Sequence, residues 1–234
     1  MATAIDKIKL AKAAASSLGQ ASTGAKNNVL KKIAELLPVR AADIIAANKI
    51  DLDRGVETGL AAGLMDRLTL NETRIQALAS AVLDLVGLPD PVGDVVRGRT
   101  LPNGLKLSQI RVPLGVIGAI YEARPNVTID IASLAIKSGN AAVLRGGTAA
   151  EKTNAVLVTL LQDALEACGI NRDAIQTVDE FGRAGANDMM QAVGLIDVLI
   201  PRGGAGLINS VVNESKVPVI QTGDGVVHLF VDET

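Results

Sequence analysis

Three short stretches of this chain place an arginine where an apolar run gives way to a polar loop. They are Glu122-Ala-Arg-Pro-Asn126, Arg145-Gly146-Gly147 and Arg202-Gly203-Gly204-Ala205-Gly206. Arg124 has the planar fork that grips a carboxylate or a phosphate through two parallel bonds; its plainer reading is an ion pair with Glu122. The glycines of the third stretch let backbone N–H groups approach a phosphate, and the positive end of a following helix favours the same ligand. The plainer reading there is a tight strand-to-helix turn. Arg145 ends a strand where dinucleotide folds often place an acid on the adenosine ribose, and an arginine at that place suits a 2′-phosphate; its plainer reading is a surface arginine. The Rossmann G-x-G-x-x-G pattern is absent from the first strand-to-helix turn. Together the three stretches point to an anionic ligand, with phosphate the leading candidate.

Other reactive residues are scarce. Cys168 is the single cysteine and His228 the single histidine, so no Cys/His metal cluster and no internal disulfide can be built. Cys168 falls at a predicted helix end before Gly169, far from strand carboxyl ends, and reads as a small apolar residue rather than an activated thiol. His228 reads the same way. The formal net charge is −2 and aromatics make up 1% of the residues, which argues against a nucleic-acid surface built on basic stripes or stacking platforms. No apolar run reaches membrane-spanning length and the N-terminus lacks a secretory core, so the expected setting is cytoplasmic, away from membranes.

The elements that must position these loops follow from hydrophobic period. Leu114 to Ile120 is almost wholly apolar, as in a parallel strand buried on both faces. Pro125 then opens a helix that Asn126 or Thr128 would cap, with Ile131, Leu134, Ala135 and Ser138 on one face. Gly139 and Asn140 stop it, and Ala141 to Leu144 form a second strand. This βαβ unit brings the Glu122–Asn126 and Arg145–Gly147 ends to one side of a sheet, where α/β ligands bind. Downstream, a helix at 151–168, a strand at 175–178, a short helix at 185–193, a strand at 197–200, a helix through Asn213 and strands at 217–221 and 227–231 continue the alternation. The fold class is therefore α/β, a doubly wound, mostly parallel sheet.

Upstream the pattern is helical. Helices are expected over 3–17, from Ser22 or Thr23 to Leu37 before Pro38, over 41–47, and from Asn71; residues 51–60 read as a loop. Between these halves Pro102-Asn103-Gly104 joins two alternating runs, Val95 to Leu101 and Leu105 to Val112, a strong hairpin signal. The organisation is thus a helical part at 1–94, a protruding β-hairpin at 95–112 and an α/β core at 113–234.

Several of these segments together resemble γ-glutamyl phosphate reductase, a member of the aldehyde dehydrogenase superfamily. They are Val112-Pro-Leu-Gly-Val-Ile-Gly118, Tyr121-Glu-Ala-Arg-Pro-Asn-Val-Thr128, Lys137-Ser-Gly-Asn140 with Val143-Leu-Arg-Gly-Gly147, and Ile200-Pro-Arg-Gly-Gly-Ala-Gly-Leu207; Met65-Asp-Arg-Leu68 and the Pro102-Asn-Gly104 turn fit as well. The resemblance implies an aldehyde-dehydrogenase-like nucleotide-binding domain and NADPH-dependent reduction of γ-glutamyl phosphate to the semialdehyde in proline biosynthesis. It implies NADPH held by Arg145, Gly146, Gly147, Arg202, Gly203, Gly204 and Gly206. Tyr121, Glu122, Arg124, Pro125 and Asn126 would lie beside the reacting centre. It also implies a homo-oligomer joined through the hairpin, and a nucleophilic cysteine beyond Thr234, outside this chain. Gln221 stands where the family pattern implies glutamate, and Val227 where it implies cysteine. Two alternatives stay open: another acyl-phosphate or aldehyde dehydrogenase of the superfamily, and a nucleotide-binding fragment without turnover.

Overall fold

The computed structural model describes residues 3–221 and 228–232. Its centre is a four-stranded sheet in the order β5-β4-β3-β6, built from β3 (Val116–Tyr121), β4 (Ala141–Arg145), β5 (Ile175–Thr177) and β6 (Val198–Arg202). All neighbours are parallel: Val116 lies opposite Ala141, Ile117 opposite Val198, and Ala142 opposite Ile175. The chain builds outward from β3 through β4 to β5, then returns to β3's other side for β6. Strand order therefore reverses between β3 and β6, the switch point where open α/β sheets bind ligands. Every residue of β3 is buried, as its apolar run requires. The hairpin also forms, β1 (Val95–Thr100) against β2 (Lys106–Ile110), and every residue of both strands is exposed.

Helices α6 (Pro125–Lys137) and α7 (Glu151–Ala167) pack on the sheet, with α2 (Thr23–Val39) and α5 (Glu72–Gly87) stacked against them. Helix α1 (Ala4–Gly19) packs on β4 and β5 beside α8 (Gly182–Gln191). The upstream helices and the sheet share one apolar cluster, from Ile8 and Leu30 to Val143 and Leu161. Thr3, Ser22 and Asn71 cap α1, α2 and α5 through their side chains.

Several expectations are corrected. Helix α3 (Ala41–Glu57) runs through the segment read as a loop from Asp51. Asp51 is fully buried, accepts the N–H groups of Lys152 at 3.2 Å and Thr153 at 2.8 Å, and pairs with Arg54 at 2.6 Å. A polar stretch thus stays helical because it caps the start of a distant helix, a tertiary contact with no local signal. Pro38 sits inside the last turn of α2 rather than ending it. A short helix α4 (Ala62–Leu68), not anticipated, follows α3.

Neither Asn126 nor Thr128 caps α6; Pro125 occupies its first turn, and no side chain caps the end. The inner face is also rotated from the one expected: Thr128, Ile129, Ala132, Ala135 and Ile136 are buried while Leu134 is 53% exposed. With the sheet on one side and α2, α5 and α7 on others, most of α6 is enclosed, so apolar spacing alone misplaces its narrow outer edge.

Residues 217–221 attach to β6 through a single bridge, Leu199 to Val219, with Leu199 N–H donating to Pro218 O at 2.8 Å and Ile220 N–H to Leu199 O at 2.9 Å. The strand expected at 227–231 is not formed over 228–231, where Leu229 and Phe230 are exposed; Val227 lies outside the described residues. Among the described residues no ladder pairs with 228–231, and a strand requires one. Helix α9 (Ala205–Glu214) follows β6.

Candidate functional site

At the switch point, register decides which loops meet. Tyr121, the last residue of β3, lies opposite Arg202, the last of β6. The loop from Glu122 to Arg124 therefore emerges beside Arg202-Gly203-Gly204. Glu122 Oε2 accepts the Gly204 N–H at 3.2 Å, tying the two loops together, and a Cβ on Gly203 would meet the Glu122 carboxylate at 2.9 Å. Among the described residues Ala123 is the sole non-glycine with positive φ, at 22°. Such a conformation costs free energy and persists where surrounding structure dictates it.

The two loops line a cavity of about 760 Å³, completed by Leu64 and Arg67 of α4. Three arginines, Arg67, Arg124 and Arg202, border it. Burial lowers the pKa of the Arg124 guanidinium, and the like charges of Arg67 and Arg202 lower it further. Asp130, one turn into α6, has its carboxyl pKa raised by burial, against the opposing influence of Arg202 and a 3.2 Å hydrogen bond from Asn126. The ion pair between Glu122 and Arg124 is not formed.

The second feature lies at the end of β4, where Arg145 sits opposite Ile120. Here a buried chain of polar groups runs inward. Gly146 N–H donates to Asp179 Oδ1 at 2.6 Å, and Asn154 Nδ2 donates to Asp179 Oδ2 at 2.9 Å. Thr128 Oγ1 donates to Asn154 Oδ1 at 2.8 Å and lies 2.6 Å from the Tyr121 hydroxyl. Thr128 has one hydroxyl proton and spends it on Asn154, so the Tyr121 hydroxyl is the donor to Thr128. Gly146 must be glycine: a Cβ there would collide with the Asn154 amide and the Tyr121 ring. Burial pushes the Asp179 carboxyl up to about 6, although Asn154, Gly146 and Arg145 favour its charge. Burial, then the charge of Asp179, raises the Tyr121 phenol and keeps it neutral. Arg145 Nε is buried and has no hydrogen-bond partner.

The residues singled out from sequence thus fall in two groups. Glu122, Arg124, Arg202, Gly203 and Gly204 share the cavity at the switch point. Pro125 opens α6, and Asn126 faces a second hollow that shares Arg67 and Arg124 with the first. Tyr121 edges the cavity, but its side chain is 1% exposed and its hydroxyl points into the polar chain. Arg145, Gly146 and Gly147 lie one strand away, against Asp179, and Gly206 sits in the exposed first turn of α9. Cys168 ends α7, with its thiol pKa raised by burial, and touches neither group. His228 is exposed, and no metal-binding cluster occurs among the described residues. Gln221 is exposed just past the bridge to β6.

Arg67, Asp179, Asn154 and Thr128 were not found by residue chemistry. Arg67 lies in the Met65-Asp-Arg-Leu68 segment, which fits the resemblance but carries no role there, and the polar chain joins residues 58 positions apart in sequence, from Tyr121 to Asp179. No described helix is long and apolar enough to cross a membrane.

No family model matches the chain. Similar proteins are numerous, however. Over 229 residues the chain is 61% identical to the γ-glutamyl phosphate reductase of Leifsonia xyli subsp. xyli, covering 98% of this chain and 54% of that protein. The crystal structure of γ-glutamyl phosphate reductase from Thermotoga maritima superposes with a TM-score of 0.93 at 39% identity, over 96% of this chain and 54% of the other. An acetylating aldehyde dehydrogenase from Geobacillus thermoglucosidasius shares the fold at a TM-score of 0.74 and 22% identity, over 96% of this chain and 46% of the other. The resemblance read from the sequence is borne out: the chain is similar to γ-glutamyl phosphate reductases over nearly its whole length, and its fold is the aldehyde-dehydrogenase type. It spans about half the length of the curated relatives it matches.

Proposed function

We propose that this chain is the cofactor-binding part of a γ-glutamyl phosphate reductase, an enzyme that reduces γ-glutamyl phosphate with NADPH to glutamate 5-semialdehyde and phosphate in proline biosynthesis. The similarity to enzymes of that name supports the reaction. The observation that carries the cofactor assignment is Arg145, a cation at the end of β4 whose Nε is buried and unpartnered, beside a Gly146 amide already fixed by Asp179. An arginine at this place favours a 2′-phosphate, hence NADPH over NADH.

Bound there, NADPH would supply the hydride. The chain's own residues hold and orient. Arg145 with Gly146 and Gly147 would take the adenosine end, and the Gly203–Gly206 turn at the start of α9, whose Gly204 amide is held by Glu122, would take the pyrophosphate on its remaining N–H groups. The loop from Glu122 to Asn126 would face the reacting carbonyl, with Tyr121 behind it as buried support. Glu122 holds the Gly204 amide and so sets the distance between the two loops. The expected setting is the cytoplasm, and the expected assembly a homo-oligomer through the hairpin.

One observation favours a narrower role for the chain by itself. Cys168 caps α7 away from the cavity, so this chain places no thiol at the switch point. It would bind NADPH without turning over. A fluorescence titration with NADPH, and an assay with glutamate 5-semialdehyde, phosphate and NADP⁺, test both statements. Saturable binding without turnover is expected. No NADPH binding would overturn the cofactor role, and turnover would overturn the division of labour.

A further inference from the structure

We propose that Asp179 is a specificity-determining residue for the cofactor: its carboxylate competes with a 2′-phosphate for the charge of Arg145, so NADPH binds more tightly once Asp179 carries a proton. This rests on the cofactor reading above and names the residue that sets how strongly Arg145 discriminates.

Arg145 folds over the turn that Asp179 holds from beneath: its Nη1 lies 3.5 Å from where a Cβ on Gly147 would stand, and its Nε is buried without a hydrogen-bond partner. Asp179 accepts the Gly146 N–H at 2.6 Å and the Asn154 amide at 2.9 Å. The charge of Arg145 reaches the carboxylate and favours its ionisation, so the carboxylate in turn offsets part of the arginine's positive field. Other charged groups facing Asp179 are already engaged. Lys7 of α1 pairs with Glu180 and lies over the Phe181 ring. Glu151, at the start of α7, pairs with Lys152 at 3.1 Å and with Arg54 at 3.8 Å. Glu180 works against the charge of Asp179, and the Tyr121 phenol stays neutral. Arg145 is thus the cation to which Asp179 responds.

The polar chain can accept a proton on Asp179 without releasing the turn. Oδ1 goes on accepting the Gly146 N–H. A proton on Oδ2 makes that oxygen a donor, and the Asn154 amide, turned over, offers its oxygen to Asp179 and its NH₂ to Thr128. The turn keeps its shape and only its charge changes. A hollow of about 380 Å³, lined by Asp179 with Lys7, Gln176 and Glu180, gives solvent a route to the carboxyl. A phosphate placed on Arg145 brings negative charge and takes up the field that favours the carboxylate, so it raises the proton affinity of Asp179. By reciprocity the proton raises the affinity for the phosphate by the same factor. The carboxyl titrates at about 6, so the effect falls between weakly acid and neutral pH. NADH has no 2′-phosphate and is not subject to this competition.

The test is titration of the wild type and Asp179→Asn with NADPH and with NADH between pH ~5 and pH ~7.5. The variant reproduces the protonated form, with an acceptor for Gly146 and a donor for the turned Asn154 amide. It should bind NADPH about as tightly as the wild type at pH ~5 and about five-fold or more tightly at pH ~7.5, with no such difference for NADH. The phosphate's own ionisation is common to both proteins and cancels in their ratio. A measurement on the wild type alone stands beside this one: the ¹³C NMR midpoint of the Asp179 carboxyl should rise when NADPH saturates the chain and stay in place with NADH. A variant that binds NADPH more weakly than the wild type at pH ~7.5 would make Asp179 only a support of the turn and overturns the proposal. So does a ratio constant with pH, an equal gain for NADH, or a midpoint that NADPH does not raise. Saturable NADPH binding with any of these results sinks this inference alone. A wild type that binds no NADPH at any pH overturns the cofactor reading, and this inference with it.

Discussion

Asp179 accepts the Gly146 N–H through Oδ1 at 2.6 Å, fixing the turn after β4 from beneath. The carboxylate does this while buried, which raises its pKa from 3.8 to about 6. The folded chain therefore holds this proton more tightly than the unfolded one, and the group's contribution to stability is greatest below pH ~4 and declines as pH rises toward ~6. The full difference is about 3 kcal/mol as an upper bound. Asp179→Asn removes this component. Urea unfolding at several pH values should show the wild type losing more stability between pH ~4 and ~6 than the variant. Parallel pH profiles would show that Asp179 does not titrate there.

Tyr121 gives a second test. Its hydroxyl supplies the proton that satisfies Thr128 at 2.6 Å. Tyr121→Phe removes that donor and leaves a buried oxygen short of a partner, at a cost of about 1–3 kcal/mol. Thermal unfolding should show a lower midpoint, while NADPH affinity changes little because the ring still fills the core. A large loss of NADPH affinity with unchanged stability would place the hydroxyl at the ligand instead.

The hairpin is a prediction about association. All residues of β1 and β2 are exposed, among them Val95, Leu107 and Ile110. A two-stranded ribbon is marginal in water, and its unpaired edges invite another strand. Amide exchange from Arg99 to Leu107 should be fast in dilute solution and slow with protein concentration. Slow exchange independent of concentration would mean that the ribbon is stabilised within its own chain.

Cys168 should be a bystander. Its thiol pKa is raised by burial, so little thiolate exists at neutral pH. Cys168→Ser should leave NADPH affinity unchanged, and labelling with a thiol reagent should be slow. Rapid labelling blocked by NADPH would contradict this.

The sheet and its switch point were legible because they rest on patterns of one period: an all-apolar run before Glu122, an Asn-Gly turn at the hairpin, and strands alternating with helices. The arginine at each strand end was legible for the same reason, since strand ends fix where loops fall. What escaped the sequence was set by contacts across the fold. Asp51 keeps a polar stretch helical by capping α7. Asp179 reaches Gly146 from the next strand's loop. Arg67 joins the cavity because α4 is pinned to Asn48, twenty residues before Leu68. None of these pairings has a local spacing to reveal it. The outer face of α6 was misplaced because a helix enclosed on several sides has no single apolar stripe.

The central claim, that Arg145 reads the 2′-phosphate of NADPH, is tested most directly by titrating the wild type and Arg145→Ala with NADPH and with NADH. One charge-assisted contact is worth about 1.5–3 kcal/mol, so Arg145→Ala should weaken NADPH about ten- to a hundred-fold and leave NADH nearly unchanged. Equal losses for both nucleotides, or none for either, would contradict it.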